Sequence, residues 1–306
     1  MPQGSILGPL LFLLYINDIV NCSNKLRFIL FADDTNIFIS DVSFSSLLLN
    51  VNIELHKLSE WFCANRLSLN IKKSNYMLFG HKFKRQKNLS SIISISGINI
   101  ERVESTKFLG IHIDCKLNWK CHTSYLALKI SKSIGIINKL KYILPRKHLL
   151  VLYNTLIHPY LLYCNVIWGN ATQSAMHRLT ILQKRILRIV CKAGFQDPSS
   201  KLFKQLNILK LDDVFTLQAA IFMFKAKNNM LPPSCSHHVS LQHSESRYNL
   251  RKRFDFFRLP YRTNIYERYI AISGPAVWES LPVNVRSTDS ISLFIKNVTT
   301  FLMNNY

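Results

Sequence analysis

The amino-acid sequence predicts an α+β fold in three parts: an antiparallel sheet with helices on one face over residues 1–114, a helical region over 115–230, and an irregular basic tail over 231–306. Three observations carry that reading. Short β-branched and aromatic runs with period-two alternation, separated by turn residues, dominate the first part. Beyond Leu117 the apolar residues recur at spacings of three and four, the period of a helix face. After Pro232-Pro233 the periodicity weakens while Arg247, Arg251, Lys252 and Arg253 cluster.

The elements follow in order. Met1 to Pro9 (MPQGSILGP) is dense in turn residues, a texture that normally joins two elements, so the sequence reads as opening inside a domain. Leu10, Leu11, Leu14, Tyr15 and Ile19 then share one helical face, with Pro9 suited to the first helical position. Leu26 to Ser40 (LRFILFADDTNIFIS) is an apolar run, two adjacent aspartates and a second alternating run, which predicts a hairpin with Asp33 and Asp34 at its exposed turn. From Ser43 to Ala64, Leu47, Leu48, Val51, Leu55, Leu58, Trp61 and Phe62 mark an amphipathic helix.

Leu67, Leu69 and Ile71 alternate before Lys72-Lys73-Ser74, and Tyr76 to Phe79 resumes the pattern, so a second hairpin is expected. His81 to Asn88 reads as a basic surface loop, Ile92 to Ile100 as strands about a turn at Gly97, and Lys107 to Asp114 as another strand pair. Helices are expected at Thr123–Leu144, as a pair across His148–Trp168, and at Ser174–Lys192, Ser199–Leu206 and Asp212–Asn228. The tail should hold a turn at Gly274-Pro275 and a final helix over Ser290–Leu302.

Charge narrows the partners. Of the formal +22, residues 1–80 contribute nothing: Lys25, Arg27, Lys57, Arg66, Lys72 and Lys73 balance Asp18, Asp33, Asp34, Asp41, Glu54 and Glu60. The whole excess lies downstream, spread over several apolar-patterned segments, which favours nucleic acid over a membrane surface and over a merely soluble basic protein. An apolar content of 48% excludes a wholly disordered chain. The seven cysteines are odd in number and form no CxxC, the usage of free thiols in a reducing compartment. Ile6 to Ile16 contains Gly8 and Pro9 and lacks a basic flank, so it does not read as a signal peptide, and the location expected is intracellular, nucleus or cytoplasm. Leu149 to Trp168 is uncharged, but Asn154, His158, Pro159 and Asn165 make a buried helix pair bent at the proline the better reading than a membrane span.

Two constellations carry chemistry. Asp33 and Asp34 are adjacent carboxylates on a rigid hairpin, hard oxygen ligands of the kind Mg²⁺ takes together with water and phosphates; the rival reading is a pair of ordinary turn residues. Lys184, Arg185, Arg188 and Lys192 lie at helical spacing opposite Leu182, Ile186, Ile189 and Val190, which suits a helix tracking a nucleic-acid backbone or, failing that, a solvated face. Cys235, His237, His238 and His243 match no common zinc spacing, and loop polarity is the preferred account.

The joint occurrence of PQGSILGP (Pro2 to Pro9), FADD (Phe31 to Asp34), LSLNIKKS (Leu67 to Ser74) and FLGI (Phe108 to Ile111) resembles the second half of a reverse-transcriptase palm of LINE-class, jockey-like retrotransposons without long terminal repeats. HPYLLYCNVIWG (His158 to Gly169), LQKRILRIV (Leu182 to Val190) and GPAVWESLP (Gly274 to Pro282) extend the likeness over most of the chain. The resemblance implies a partial palm over 1–114, a helical thumb-like region over 115–230 and a C-terminal region of retrotransposon type over 231–306. It implies that Asp33 holds a catalytic Mg²⁺, with Asp34 assisting the metal or the primer end. Gln3, Gly4 and Ser5 would form a turn beside the template and incoming nucleotide, where glycine permits close backbone approach. Lys73, with Lys72 as the second choice, would neutralise charge on the triphosphate, a solvated hairpin turn being the rival reading for both lysines. Phe108, Leu109 and Gly110 would grip the primer's 3′ end, which core packing of the first two does not contradict.

The same resemblance places a second metal-binding aspartate and the nucleotide-binding fingers upstream of the PQG motif, where this sequence starts, so the expectation is a fragment that does not polymerise alone. The implied partners are an RNA template, a DNA primer and deoxynucleoside triphosphates, with no membrane. The alternative is a non-catalytic nucleic-acid-binding remnant.

Overall fold

In the computed structural model the described residues are 4–80, 93–236, 238–239 and 255–306. Gln3, the loop His81 to Asn88, His237, His243 and the cluster Arg247, Arg251, Lys252 and Arg253 lie outside them. The chain divides into two compact units, residues 1–106 and 107–306.

In the first unit α1 (Leu7–Ile16) starts where the Ser5 hydroxyl oxygen accepts the Gly8 N–H at 3.1 Å, one of the donors a helix start leaves unpaired. Pro9 takes the third helical position, where its missing N–H still costs no ladder bond. A 3₁₀ turn over Asn17–Cys22 follows. The expected single buried face is not what the fold uses. Ile16 and Ile19 are buried, but Leu7, Leu10, Leu11, Leu13, Leu14 and Tyr15 are exposed.

Strands β1 (Arg27–Phe31) and β2 (Asp34–Phe38) form the expected antiparallel hairpin, with Phe31 opposite Asp34 and Ala32-Asp33 as its two-residue turn. Helix α2 (Phe44–Ala64) starts at Ser43, whose side chain accepts the Ser46 N–H, and buries Leu47, Leu55, Leu58 and Phe62. Phe28, Leu30 and Ile37 of the hairpin pack on the same core, with Ile16, Ile19, Ile93 and Ile95.

The second hairpin does not form. After Leu69 the backbone closes local turns, the N–H groups of Ile71, Lys73 and Ser74 bonding the carbonyls of Leu69, Asn70 and Ile71 in place of a strand ladder. Strand β3 (Asn75–Tyr76) pairs instead, in parallel, with a strand further on. Strands β4 (Ser94–Ile95) and β5 (Ile98–Asn99) pair antiparallel across Ser96-Gly97; β6 (Glu101–Arg102) is the partner of β3; β7 (Ser105–Phe108) straddles the division between units. Among the described residues the strands therefore join two by two, not in one antiparallel sheet.

In the second unit β8 (Ile111–Asp114), the partner of β7, ends at a carboxylate that accepts the N–H groups of Lys116, Asn118 and Trp119 at 3.1, 3.2 and 3.0 Å and closes the loop into α3 (Lys120–Leu140). The uncharged run becomes three helices, α4 (Arg146–Leu156), α5 (His158–Leu162) and α6 (Asn165–Trp168), broken ahead of Pro159 as expected and again at Cys164, whose φ is 50°. No described helix is long and apolar enough to cross a membrane. Helix α7 (Gln173–Cys191) lies against α3, and Leu126, Ile130, Ile134 and Ile137 meet Leu179, Leu182, Ile186 and Val190 in a core closed by Leu149, Tyr153 and Trp168. Helix α8 (Ser199–Leu206) adds Leu202, Phe203 and Leu206 to it.

Helix α9 (Leu211–Lys227) is shared by two cores: Leu211 belongs to the first, and Ala220, Met223 and Phe224 belong to a second. The described residues after 230 build that second core and, where described, are not an irregular tail. After α10 (Pro233–Ser236), α11 (Asn264–Glu267), α12 (Ile270–Ser280), α13 (Val283–Arg286) and α14 (Ile291–Asn304) bring in Trp278, Val285, Phe294 and Val298 beside Phe256. Gly274-Pro275 lies inside α12 and is no turn. A Cβ at position 274 would stand 2.6 Å from the Met223 sulfur, so glycine is what allows α12 to approach α9. The boundary expected at 230 thus falls within one packed unit.

Candidate functional site

The hairpin carrying Asp33 and Asp34 is fixed at both ends to α2 by polar ties. At its start the buried Glu54 carboxylate accepts the Ser23 hydroxyl at 2.5 Å and the Lys57 ammonium at 2.9 Å, and the Ser23 oxygen accepts the N–H groups of Lys25 and Leu26. The Ser23 bond first, then Lys57, holds the Glu54 pKa below its ordinary value. At its end Asp41 accepts the Ser46 hydroxyl at 2.7 Å, the Asn50 amide at 2.6 Å and the Val42 N–H at 2.7 Å, and these bonds, Ser46 foremost, lower its pKa as well. Lys25 adds a bond to Asn50 at 2.9 Å.

At the far end Ala32, Asp33 and Asp34 are all exposed, and Ala32 has a φ of 50°, a left-handed conformation that an alanine adopts only under constraint. Among the described residues neither carboxylate has a cation or a hydrogen-bond donor as partner. Asp33 belongs to the turn, whereas Asp34 is the first residue of β2. Elsewhere in this unit Gly4 precedes α1 with a φ of 90°, Ser5 caps that helix, and Lys72 and Lys73 project from a 3₁₀ turn over Ile71–Lys73. Both ammonium groups are exposed.

In the second unit Phe108 ends β7, and Leu109 and Gly110 form the turn into β8. Leu109 and Gly110 have φ values of 44° and 87°, and the Tyr163 hydroxyl donates to the Leu109 carbonyl at 2.7 Å. A Cβ on Gly110 would meet the Tyr163 ring at 3.3 Å, so glycine serves both the backbone conformation and the seat of that ring. Phe108 and Leu109 are half-buried.

The basic face of α7 lines a cleft of about 540 Å³. Lys184, Arg185 and Lys192 are exposed on it, as expected. Arg188 is engaged differently: its guanidinium donates to the Asp197 carbonyl at 3.3 and 3.1 Å and lies 5.9 Å from the Phe195 ring, so it tethers the loop after α7. Lys141, Tyr142 and Phe195 complete the cleft and escaped the sequence reading: Lys141 and Tyr142 fall within the helix expected over Thr123–Leu144, which ends at Leu140, and Phe195 sits in no periodic pattern.

Among the described residues no group of three or more His, Cys, Asp or Glu side chains is placed to share a metal ion. The described cysteines are free thiols. The His238 ring pairs with the Tyr269 hydroxyl at 2.6 Å.

Comparison with known proteins bears on the hairpin directly. Residues 1–113 match the family model of reverse transcriptase (RNA-dependent DNA polymerase), a segment that contains both aspartates. The chain resembles transposon reverse transcriptases. It is 25% identical over 222 residues to the probable RNA-directed DNA polymerase from transposon X-element of Drosophila melanogaster, and 25% identical over 227 residues to that from transposon BS of the same organism. It is 23% identical over 225 residues to the RNA-directed DNA polymerase from mobile element jockey of Drosophila melanogaster. Each match covers 70% of this chain and 24% of the relative, so the chain spans about a quarter of their length. No solved structure matches it significantly.

Proposed function

We propose that this chain is part of the RNA-directed DNA polymerase of a LINE-class, jockey-like retrotransposon, with a partial palm in its first part and a helical thumb-like region after it. One observation carries the proposal: two adjacent carboxylates, exposed and unpaired among the described residues, stand at the tip of a hairpin tied at both ends to α2, inside the segment that matches reverse transcriptase. The relatives are named polymerases, which favours this over a non-catalytic nucleic-acid-binding remnant.

The donor set fits a hard divalent cation in kind and is incomplete in number. Asp33 would hold Mg²⁺ with Asp34 beside it, and water and triphosphate oxygens would fill the remaining octahedral positions. The bound ion would stabilise negative charge on the phosphoryl oxygens during template-directed nucleotidyl transfer. Lys73, exposed on a 3₁₀ turn, suits neutralisation of the triphosphate of a deoxynucleotide, and Gly4 and Ser5 suit the turn beside template and nucleotide. Phe108, Leu109 and Gly110, held by Tyr163, suit support of the primer's 3′ end. Lys184, Arg185 and Lys192 suit phosphate contacts along the RNA template and DNA primer, while Arg188 holds the neighbouring loop.

The test is primer extension on an RNA template with Mg²⁺, using this chain extended upstream with the corresponding segment of a jockey-type relative. Asp33→Asn removes the anionic ligand without changing shape and is expected to lower the rate by roughly a thousandfold or more. An unchanged rate would leave these aspartates as turn residues only.

A further inference from the structure

The cleft beside α7 holds more than a row of cations. Tyr142 and Phe195, which both line it, are 81% and 90% exposed. The Lys141 ammonium lies 4.9 Å from the Tyr142 ring centre, and the Arg188 guanidinium flanks Phe195. Among the described residues no carboxylate forms an ion pair with Lys141, Lys184, Arg185 or Lys192.

The two aromatic rings expose most of their surface to water beyond those cation contacts, and four cations that pair with no carboxylate among the described residues repel one another. A ligand that relieves both must present phosphates and flat faces together. Duplex nucleic acid offers phosphates but keeps its base faces stacked inside, whereas a single strand offers both. We infer that this cleft binds single-stranded nucleic acid, with an unpaired base stacked on Phe195 or Tyr142 and the adjoining phosphates on Lys184, Arg185, Lys141 and Lys192. The Arg188 bond to the Asp197 carbonyl holds the loop that presents Phe195, so the platform exists before the strand arrives. The cleft volume of about 540 Å³ accommodates one or two nucleotides and not a duplex. The inference goes beyond the backbone role proposed for α7, and it stands whether or not Asp33 binds a metal.

The experiment is fluorescence anisotropy of a labelled twelve-nucleotide oligothymidine, the same strand with its central bases removed, and a duplex of equal length, each titrated with the intact chain at ~100 mM salt. The oligothymidine should bind best. Removing the bases should weaken binding by roughly tenfold, and the double variant Tyr142→Ala, Phe195→Ala should weaken the intact strand by a similar factor while leaving the base-free strand unaffected. Replacing Lys184 and Arg185 with Ala should weaken all three ligands and flatten the salt dependence. Equal affinity of the wild-type chain for intact and base-free strands would overturn the inference, a result that needs no variant to fold. So would tighter binding of the duplex, or displacement of the strand by an equimolar acidic phosphopeptide. The titrations contain no deoxynucleotide and read no extension, so their failure is separate from failure of the polymerase test.

Discussion

In residues 107–306, Tyr153, Ile134, Ile137, Trp168, Phe203, Trp278 and Phe294 are buried almost completely, whereas among the described residues of 1–106 only Ile19 and Leu58 of the large hydrophobic side chains reach that depth. The second unit is made largely of helices as long as 21 residues, whose apolar stripes face one another and enclose two cores. The first unit sets one long helix against strand pairs of two to five residues and an apolar helix, α1, that faces solvent over most of its length. The contrast teaches how each candidate site is placed. The aspartate hairpin depends on a few polar ties, Ser23 to Glu54 and Asp41 to Ser46 and Asn50, while the basic cleft depends on hydrophobic packing between α3 and α7.

The largest expected effect breaks the deep side of this comparison. Trp278 is fully buried, stacks 5.6 Å from Phe294 and donates its indole N–H to Asp255 at 2.6 Å. Trp278→Ala should cost about 4 kcal/mol, read by urea unfolding with hydrogen exchange of the α9 amides. Exchange of the α2 amides should not change; equal acceleration there would mean that the two units do not unfold separately.

Acid should distinguish the units next. The His122 ring is 1% exposed, its Nδ1 accepts the His112 N–H at 3.3 Å, and its Nε2 has no partner among the described residues. Burial, with a smaller contribution from His112, depresses its pKa from 6.5 to about 4, so the folded unit keeps this ring neutral. Stability from that neutrality is complete above the ordinary value and is lost as pH falls toward the folded one. Burial depresses His158 in the same direction. Glu54 is a lowered carboxylate: its contribution is present above its ordinary value of 4.5 and is lost only below it. Between pH ~7 and ~5 the second unit should therefore lose about 2 kcal/mol while the first loses little. Parallel losses in unfolding curves followed by α2 and α7 probes would refute the assignment.

The smallest effect concerns the C-terminal residue. The Tyr306 hydroxyl donates to Asp213 at 2.5 Å and accepts the Lys210 N–H at 2.7 Å, joining the end of α14 to the start of α9. Tyr306→Phe keeps the ring against Lys210 but strands both partners, and should lower stability by about 1 kcal/mol with a matching fall in Tm. No change in Tm would show that water replaces the hydroxyl there.

The sequence by itself determined the local elements and their chemistry. Alternation on both sides of Asp33-Asp34 fixed a hairpin with exposed acids, the spacing from Leu47 to Phe62 after Ser43 fixed α2, and Leu179 to Val190 fixed the buried face of α7 with its cations outside. The motifs also sufficed for the reverse-transcriptase resemblance that the comparisons support. Only the tertiary structure decided the rest. Leu67, Leu69 and Ile71 alternate as a strand would, yet local turns capture the Leu67 and Ile71 N–H groups, because the period reports which side chains face inward and not where the N–H groups go. Gly274-Pro275 reads as a turn until Met223 of α9 is seen against it, and the apolar residues of α1 read as a core face until their exposure is known. Tyr142 reads as part of a helix and Phe195 carries no pattern, since packing of α3 on α7 is what brings residues 53 positions apart to one cleft.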